Sequence, residues 1–393
     1  MKAIRPIVIT NNNLISSTLA DVDADAVAYS TATTYALNDK VTFNDPPLAV
    51  TMTIADPCII TWAGHEFVLW NPISFTTTGA LPTGIVASTT YFISKIVSLD
   101  TFEISETIGG VSVRTSGSQS GTHTATLQWH RTYKSLQAGN LNNSPRKASG
   151  AAWWQETGAS NKWAMFDGSV TSQSVGTTIT VRIRTPAYFD TVALLNVKGG
   201  TYTITTLTSA LATTYTTGAV SLTSTAWPSD PADPYAITLM TQTTEQLENV
   251  FITGLNLSLT GSYYVDITIA AAKAASMSAI GACLIGNSVY FGGAVYGASV
   301  GIQDYSVIDQ DEFGNYSIVP RTFSKKGSFT VYIVATTIDK VFELLTRLRS
   351  TPCLYMGSSG TTSTVIYGFP SEWSIVLEQP TYYVLNIEIR GLT

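Results

Sequence analysis

The sequence predicts a mainly β, multi-domain chain with small β modules at the N-terminus, a β-sandwich at the centre and an α+β domain at the C-terminus. Three observations predict it. Ser and Thr together make up about a quarter of the 393 residues, and Thr, being β-branched, suits a half-buried pleated surface. Gly, Pro and Tyr are plentiful, as many short strands joined by turns require. Apolar and polar residues alternate with period two over much of the chain. With 45% apolar residues the chain can bury real cores. Its length suits two or three domains at roughly 100–200 residues each.

Taken in order, Met1 to Pro6 precedes a short apolar patch, Ile7-Val8-Ile9, that runs into Thr10-Asn11-Asn12-Asn13. No apolar core of a signal peptide is expected there. Pro46-Pro47 and the turn-rich stretch Ser116–Gly121 bracket a compact unit at about 50–127. Gln137–Gly150 reads as a polar loop. Thr178–Ile183, Tyr202–Thr205 and Tyr263–Ile269 alternate as half-buried strands, and the Pro-rich stretch 228–234 reads as a rigid loop. Ala274–Val300 is uncharged and long enough to span a bilayer. Its glycines, serines and Asn287 instead predict two buried strands, Ala282–Ile285 and Val289–Phe291, turning at Gly286-Asn287. No membrane insertion is expected.

Gly301–Asn315 reads as a linker into the C-terminal part. There Ile338, Val341, Phe342, Leu345 and Leu348 fall on one face of a 3.6-residue period, so a helix is expected near 338–350. Thr337 stands at its N-cap and Asp339 in the first turn, where the helix dipole favours an anion. Arg347 and Arg349 stand in the last turn, and Pro352 stops it. Strands at Ser328–Ala335, Thr364–Phe369, Trp373–Leu377 and Tyr383–Ile389 surround this helix.

Charge and chemistry exclude several functions. Charged residues are only 12% and the net charge is −6, which argues against a nucleic-acid partner because phosphate binding needs a basic stripe. Cys58, Cys283 and Cys353 are widely spaced and read as buried thiols. His65, His123 and His130 belong to no metal or nucleophile motif. Asp167, Asp190 and Asp266 are carboxylates of the kind a glycosidase pairs, but acids alone are unspecific. No catalysis, cofactor or metal is expected.

Asp309-Gln310-Asp311-Glu312-Phe313-Gly314 begins like a calcium loop. It fails at position 5, where Phe313 brings no oxygen, and at position 12, where Pro320 replaces Glu. Trp129, Tyr133, Trp153, Trp154 and Trp163 cluster around the polar loop. Exposed rings would make a sugar-stacking platform and buried ones a small β core. Few charges on many strands also leave edges prone to pairing, which burial in a symmetric assembly would cover.

Three stretches carry resemblances. Trp70-Asn71-Pro72-Ile73-Ser74-Phe75 through Gly79-Ala80-Leu81-Pro82-Thr83-Gly84-Ile85, with Thr90-Tyr91-Phe92-Ile93 and Thr101-Phe102-Glu103-Ile104-Ser105, resembles a small β module of phage tail and adhesion proteins. Thr34-Tyr35-Ala36-Leu37-Asn38-Asp39-Lys40-Val41, joined to Tyr133 through Gly139-Asn140, Pro145 and Trp153-Trp154, resembles chitin-binding modules of bacterial chitinases. Asn38 replaces the usual Gly, and the β module sits where a hairpin would join two strands. That resemblance implies sugar contacts at Tyr35, Tyr133, Trp153 and Trp154.

The stretch Gly158–Gly168, followed by Gly297–Ser306, Asp311–Gly314, Thr351–Leu354, Tyr367-Gly368-Phe369 and Ile387–Leu392, resembles tailed-phage minor tail or baseplate proteins with a galactose-binding-like middle domain. It implies a jelly-roll-like sandwich at 158–300, an α+β docking domain at 301–393 and, at 1–157, the chitin-binding-like unit. The implied function is structural, in a virion tail tip or baseplate assembled in the host cytoplasm. Its implied partners are other tail proteins and further copies of itself. Host surface polysaccharide is the partner in the rival reading, a carbohydrate-recognition protein for host attachment.

Overall fold

The computed structural model describes the chain outside residues 44–46, 66, 129, 147, 186–187, 227–242, 259–260, 274–275, 296, 311, 350, 359–360, 378 and 393. The Pro-rich loop at 228–234, Pro46, Trp129, Asp311 and Ser350 thus lie outside the described residues. The chain is mainly β, and among the described residues it has one α-helix, α1 (Ile338–Leu348). No described helix is long and apolar enough to cross a membrane.

Two compact units form. One holds Ile9–Ala164 with Ile179–Arg184; the other holds Met1–Val8, Met165–Thr178 and Thr185–Thr393. These limits differ from boundaries at 157/158 and 300/301. Backbone pairing is the reason. Lys2–Pro6 lies between Ala282–Tyr290 and Cys353–Met356, so the first residues of the chain belong with the last. One ten-stranded sheet also runs through both the 158–300 and 301–393 segments.

In the first unit, residues 48–127 close into a six-stranded barrel. Its order is Thr101–Ser105, Ile60–Thr61, Leu48–Met52, His123–Leu127, Pro72–Thr77 and Thr90–Ile96. Closure leaves no unpaired edge. Ile60, Ile73, Phe75, Ile93, Phe102 and Ile104 fill it and are wholly buried. Gly79 and Gly84, between Pro72–Thr77 and Thr90–Ile96, both face a neighbouring backbone. A Cβ on Gly84, at φ +111°, would lie 2.2 Å from the Arg114 carbonyl oxygen.

The barrel is inserted between Lys40–Phe43 and Arg131–Ser135, which pair antiparallel in a four-stranded sheet completed by Trp154–Ala159 and Val27–Ala28. Arg146 of the polar loop spans the join. Its guanidinium lies 4.6 Å from the Phe67 ring centroid and donates to the His65 carbonyl of the barrel.

In the second unit the ten-stranded sheet separates its side chains by the strand period of two. Ala3, Cys353, Tyr355 and Ile366 enter one core, together with Phe329, Val331, Ile333, Leu385, Ile387 and Ile389. Their neighbours Ile4, Leu354, Val365 and Tyr367 enter another on the opposite face. Helix α1 lies on the first face through Val341, Leu345 and Leu348. Phe342 stays 54% exposed and packs its ring on Trp373 at 5.1 Å. Thr337 occupies the N-cap but makes no capping bond, its hydroxyl donating instead to the Val334 carbonyl.

A separate pair, Thr201–Thr208 and Tyr263–Ala270, alternates as expected, with Ile204, Val265, Ile267 and Ile269 inward. On Thr201–Thr208, Thr hydroxyls pair across to the next strand, as Thr206 does with Thr214 at 2.7 Å.

Two local expectations fail here. Ala282–Tyr290 is one strand with no turn at Gly286-Asn287, because Gly286 sits where the Arg5 backbone crosses closely. Val365–Val376 is likewise one strand, bent by a bulge between Pro370 and Glu372 instead of broken in two.

All three cysteines are free and buried. Burial pushes the Cys283 and Cys353 thiols up to about 12. We expect no labelling by a thiol reagent at neutral pH in the folded protein and labelling of all three on unfolding. Fast labelling of the folded chain would contradict this burial.

Candidate functional site

The aromatic residues singled out for sugar contact come together, but as a core. Tyr35, Tyr133 and Trp154 are 2%, 4% and 4% exposed and pack with Val41 and Phe43. The Tyr35 and Trp154 rings meet edge to face at 5.1 Å, and Tyr29 adds another edge contact to Trp154 at 6.1 Å. The Trp154 indole N–H donates to the Asn143 carbonyl at 2.8 Å. A small sheet has few residues with which to build a core, and rings supply the most apolar area each. The faces a sugar would stack on are therefore occupied, and the expectation of a platform at Tyr35, Tyr133 and Trp154 is corrected. Trp153 is half-buried against the same cluster.

The rest of this motif is scaffolding. Asn38 has φ 72°, a left-handed conformation that Asn tolerates, which explains how it replaces Gly. The buried Asn140 amide donates to the Ser135 hydroxyl at 3.1 Å.

The residues weighed for catalysis are also tied down. His65 and His123 are buried and hydrogen-bonded within the barrel. The Asp190 carboxylate accepts from the Ser288 backbone N–H at 2.8 Å and from the Ser288 and Thr191 hydroxyls, pinning adjacent strands. Asp167 accepts from the Ser169 N–H. Asp266 projects from the strand Tyr263–Ala270. Among the described residues no three His, Cys, Asp or Glu side chains gather as a metal site.

His130 stacks on Trp163 with centroids 4.3 Å apart and planes at 3°, and its Nε2–H donates to the Asn11 side-chain oxygen at 2.7 Å. Burial pushes this imidazole down to about 4. The unfolded chain, with an ordinary imidazole, takes up the proton first as pH falls. Stability from neutral His130 is complete above about pH 6.5 and declines towards pH 4, by about 3 kcal/mol in all. Thermal melts across this range are expected to show the slope in the wild type and a flatter one in His130→Gln. Parallel slopes would remove His130 as the cause.

One surface was not recognised in the sequence. Ser299–Asp304 pairs with the start of Phe323–Val334, from Ser299↔Ser328 to Asp304↔Phe323. Beyond it, Val307–Gln310 pairs with Tyr316–Val319 as a separate two-stranded ribbon. The segment taken for a linker is thus a β arm, with the failed calcium loop at its tip. Every residue of both ribbon strands is exposed, including Ile308 at 63%, Tyr316 at 65% and Ile318 at 61%, and Phe313 at the tip is 88% exposed. Adjacent apolar pairs, Val307-Ile308 and Ile318-Val319, put apolar groups on both faces. That pattern ordinarily marks a strand covered on both sides, and it was the available signal.

At the base of the arm, Thr322, Phe323 and Lys325 border an apolar groove of about 310 Å³. Leu195, Phe251, Leu354, Val365, Tyr367 and Leu392 line it. No family model, curated protein or solved structure matches this chain.

Proposed function

We propose that this chain is a structural subunit of a tailed-phage virion, at the tail tip or baseplate, that is held in place by docking to copies of itself and to other tail proteins. The observation that carries the docking reading is the arm. A two-stranded ribbon alone is marginal in water, and one apolar on both faces gains stability only when covered. A surface poor in charge supports the same reading, and the resemblance to phage tail proteins supports the virion. The rival, recognition of host polysaccharide, is weakened because Tyr35, Tyr133 and Trp154 have no free ring face.

The test is the chain's presence in gradient-purified particles, by mass spectrometry, and its position there, by antibody-gold labelling. Stoichiometric presence with label at the tail end is expected. Absence from particles overturns the reading. Saturable binding on a glycan array that is lost in Trp153→Ala would favour the rival.

A further inference from the structure

We infer that the tip of the arm docks into the groove at the base of the same arm on a second copy of this chain. The inference deepens the structural reading above and rests on it for the assembly in which the copies meet. The tip is a knob. Phe313, 88% exposed, stands at the end of a ribbon whose Val307, Ile308, Tyr316, Ile318 and Val319 are 42–65% exposed. The groove is a hole of matching character, about 310 Å³ and lined by Phe251, Leu354, Val365, Tyr367 and Leu392. It is large enough for one aromatic side chain with part of the turn that carries it.

Charge agrees with this direction of docking. Asp309 and Glu312 are exposed at the distal end. Arg321 and Lys326 are exposed at the proximal end, where Lys325 also borders the groove. Among the described residues none of these five is in an ion pair. Two acids, Glu248 on the groove's border and the exposed Asp304 opposite Phe323, stand beside these three cations and leave the proximal end net positive. Tip on base therefore brings opposite charges together, whereas tip on tip and base on base bring like charges together.

The arm as a whole exposes more apolar area than the groove itself takes in, on the scale of one side of an interface. The six apolar side chains expose on the order of 700 Å², taking roughly 150–250 Å² for a ring at full exposure. One partner in a standard-size interface contributes about 800 Å². Knob and hole lie at different places on the chain, so two copies exchange arms reciprocally about a two-fold axis or successive copies repeat the contact head-to-tail, and the measured mass distinguishes a dimer from a larger ring.

The experiment measures the mass of the full chain by light scattering and sedimentation, alongside thermal melts. The wild type is expected to be oligomeric. Phe313→Asp, at an exposed site, is expected to run as a monomer that still melts cooperatively, its melting temperature lowered only by the stabilisation that assembly gives the wild type. Lys325→Glu is expected to weaken assembly at least about tenfold, and Glu312→Lys in the same chain to restore most of it. A monomeric wild type, an unchanged mass for Phe313→Asp, or no restoration by the charge swap overturns the inference. Failure here is separable from failure of the virion reading. Chain found in particles while Phe313→Asp is incorporated normally defeats only the docking. Chain absent from particles but oligomeric through Phe313 defeats only the virion.

Discussion

Gly286→Val is expected to cost about 4 kcal/mol or more, a melting shift on the order of 10 °C for a unit of this size. A Cβ at Gly286 would stand 2.3 Å from the Arg5 carbonyl oxygen and 2.9 Å from the Ile4 side chain. The first of these is backbone and has no rotamer through which to move. Lys2–Pro6 must then leave its place between Ala282–Tyr290 and Cys353–Met356. With it go Ala3 from one core and Ile4 from the other. Gly301→Ala is the control, since a Cβ there meets only Lys326 side-chain carbons at ordinary contact distance. Melts and limited proteolysis of the two variants check the prediction. A Gly286→Val shift within about 2 °C of wild type, about 1 kcal/mol or less, would show that the crossing is looser than described.

Trp154→Ala is expected to destabilise the N-terminal unit by about 3–5 kcal/mol, the range for removing a large ring from a core. The indole fills the space between Tyr29, Tyr35 and the strand Lys40–Phe43, and its N–H serves the Asn143 carbonyl. Trp153→Ala, at a half-buried position, is expected to cost about 1 kcal/mol, the centre of the range for point substitutions. Urea unfolding measures both. The comparison also separates core from platform. An exposed stacking residue would lose ligand and keep stability, whereas Trp154→Ala is expected to lose stability first. An unfolding midpoint unchanged in Trp154→Ala would restore this ring to the list of surface candidates.

The mainly β class followed from Thr-rich alternation. Tyr263–Ala270 shows the pattern directly, every second residue entering the core, and Thr201–Thr208 does so up to Thr206, where Leu207 is buried as well. Helix α1 was legible for the same reason, its stripe reporting the core it covers. The sequence was less informative where one residue type serves two purposes. Gly286-Asn287 has the composition of a turn, yet glycine also admits a crossing backbone. A cluster of Tyr and Trp reads equally as a platform or as a core, since both uses exploit the same large apolar faces. The arm was missed because its adjacent apolar pairs imply a partner on each side and contain no statement of what that partner is.

What the sequence by itself determined was therefore local: strand, helix, charge-poor surface, and the absence of the spacings that nucleophile and metal chemistry need. Tertiary structure alone decided that Lys2–Pro6 pairs with Cys353–Met356, that Tyr35, Tyr133 and Trp154 face inward, and that the strands Val307–Gln310 and Tyr316–Val319 are exposed. The physical reason is that periodicity records how many faces of an element are apolar. Which distant segment covers each face is set by long-range backbone pairing, and that leaves no mark at fixed spacing along the chain.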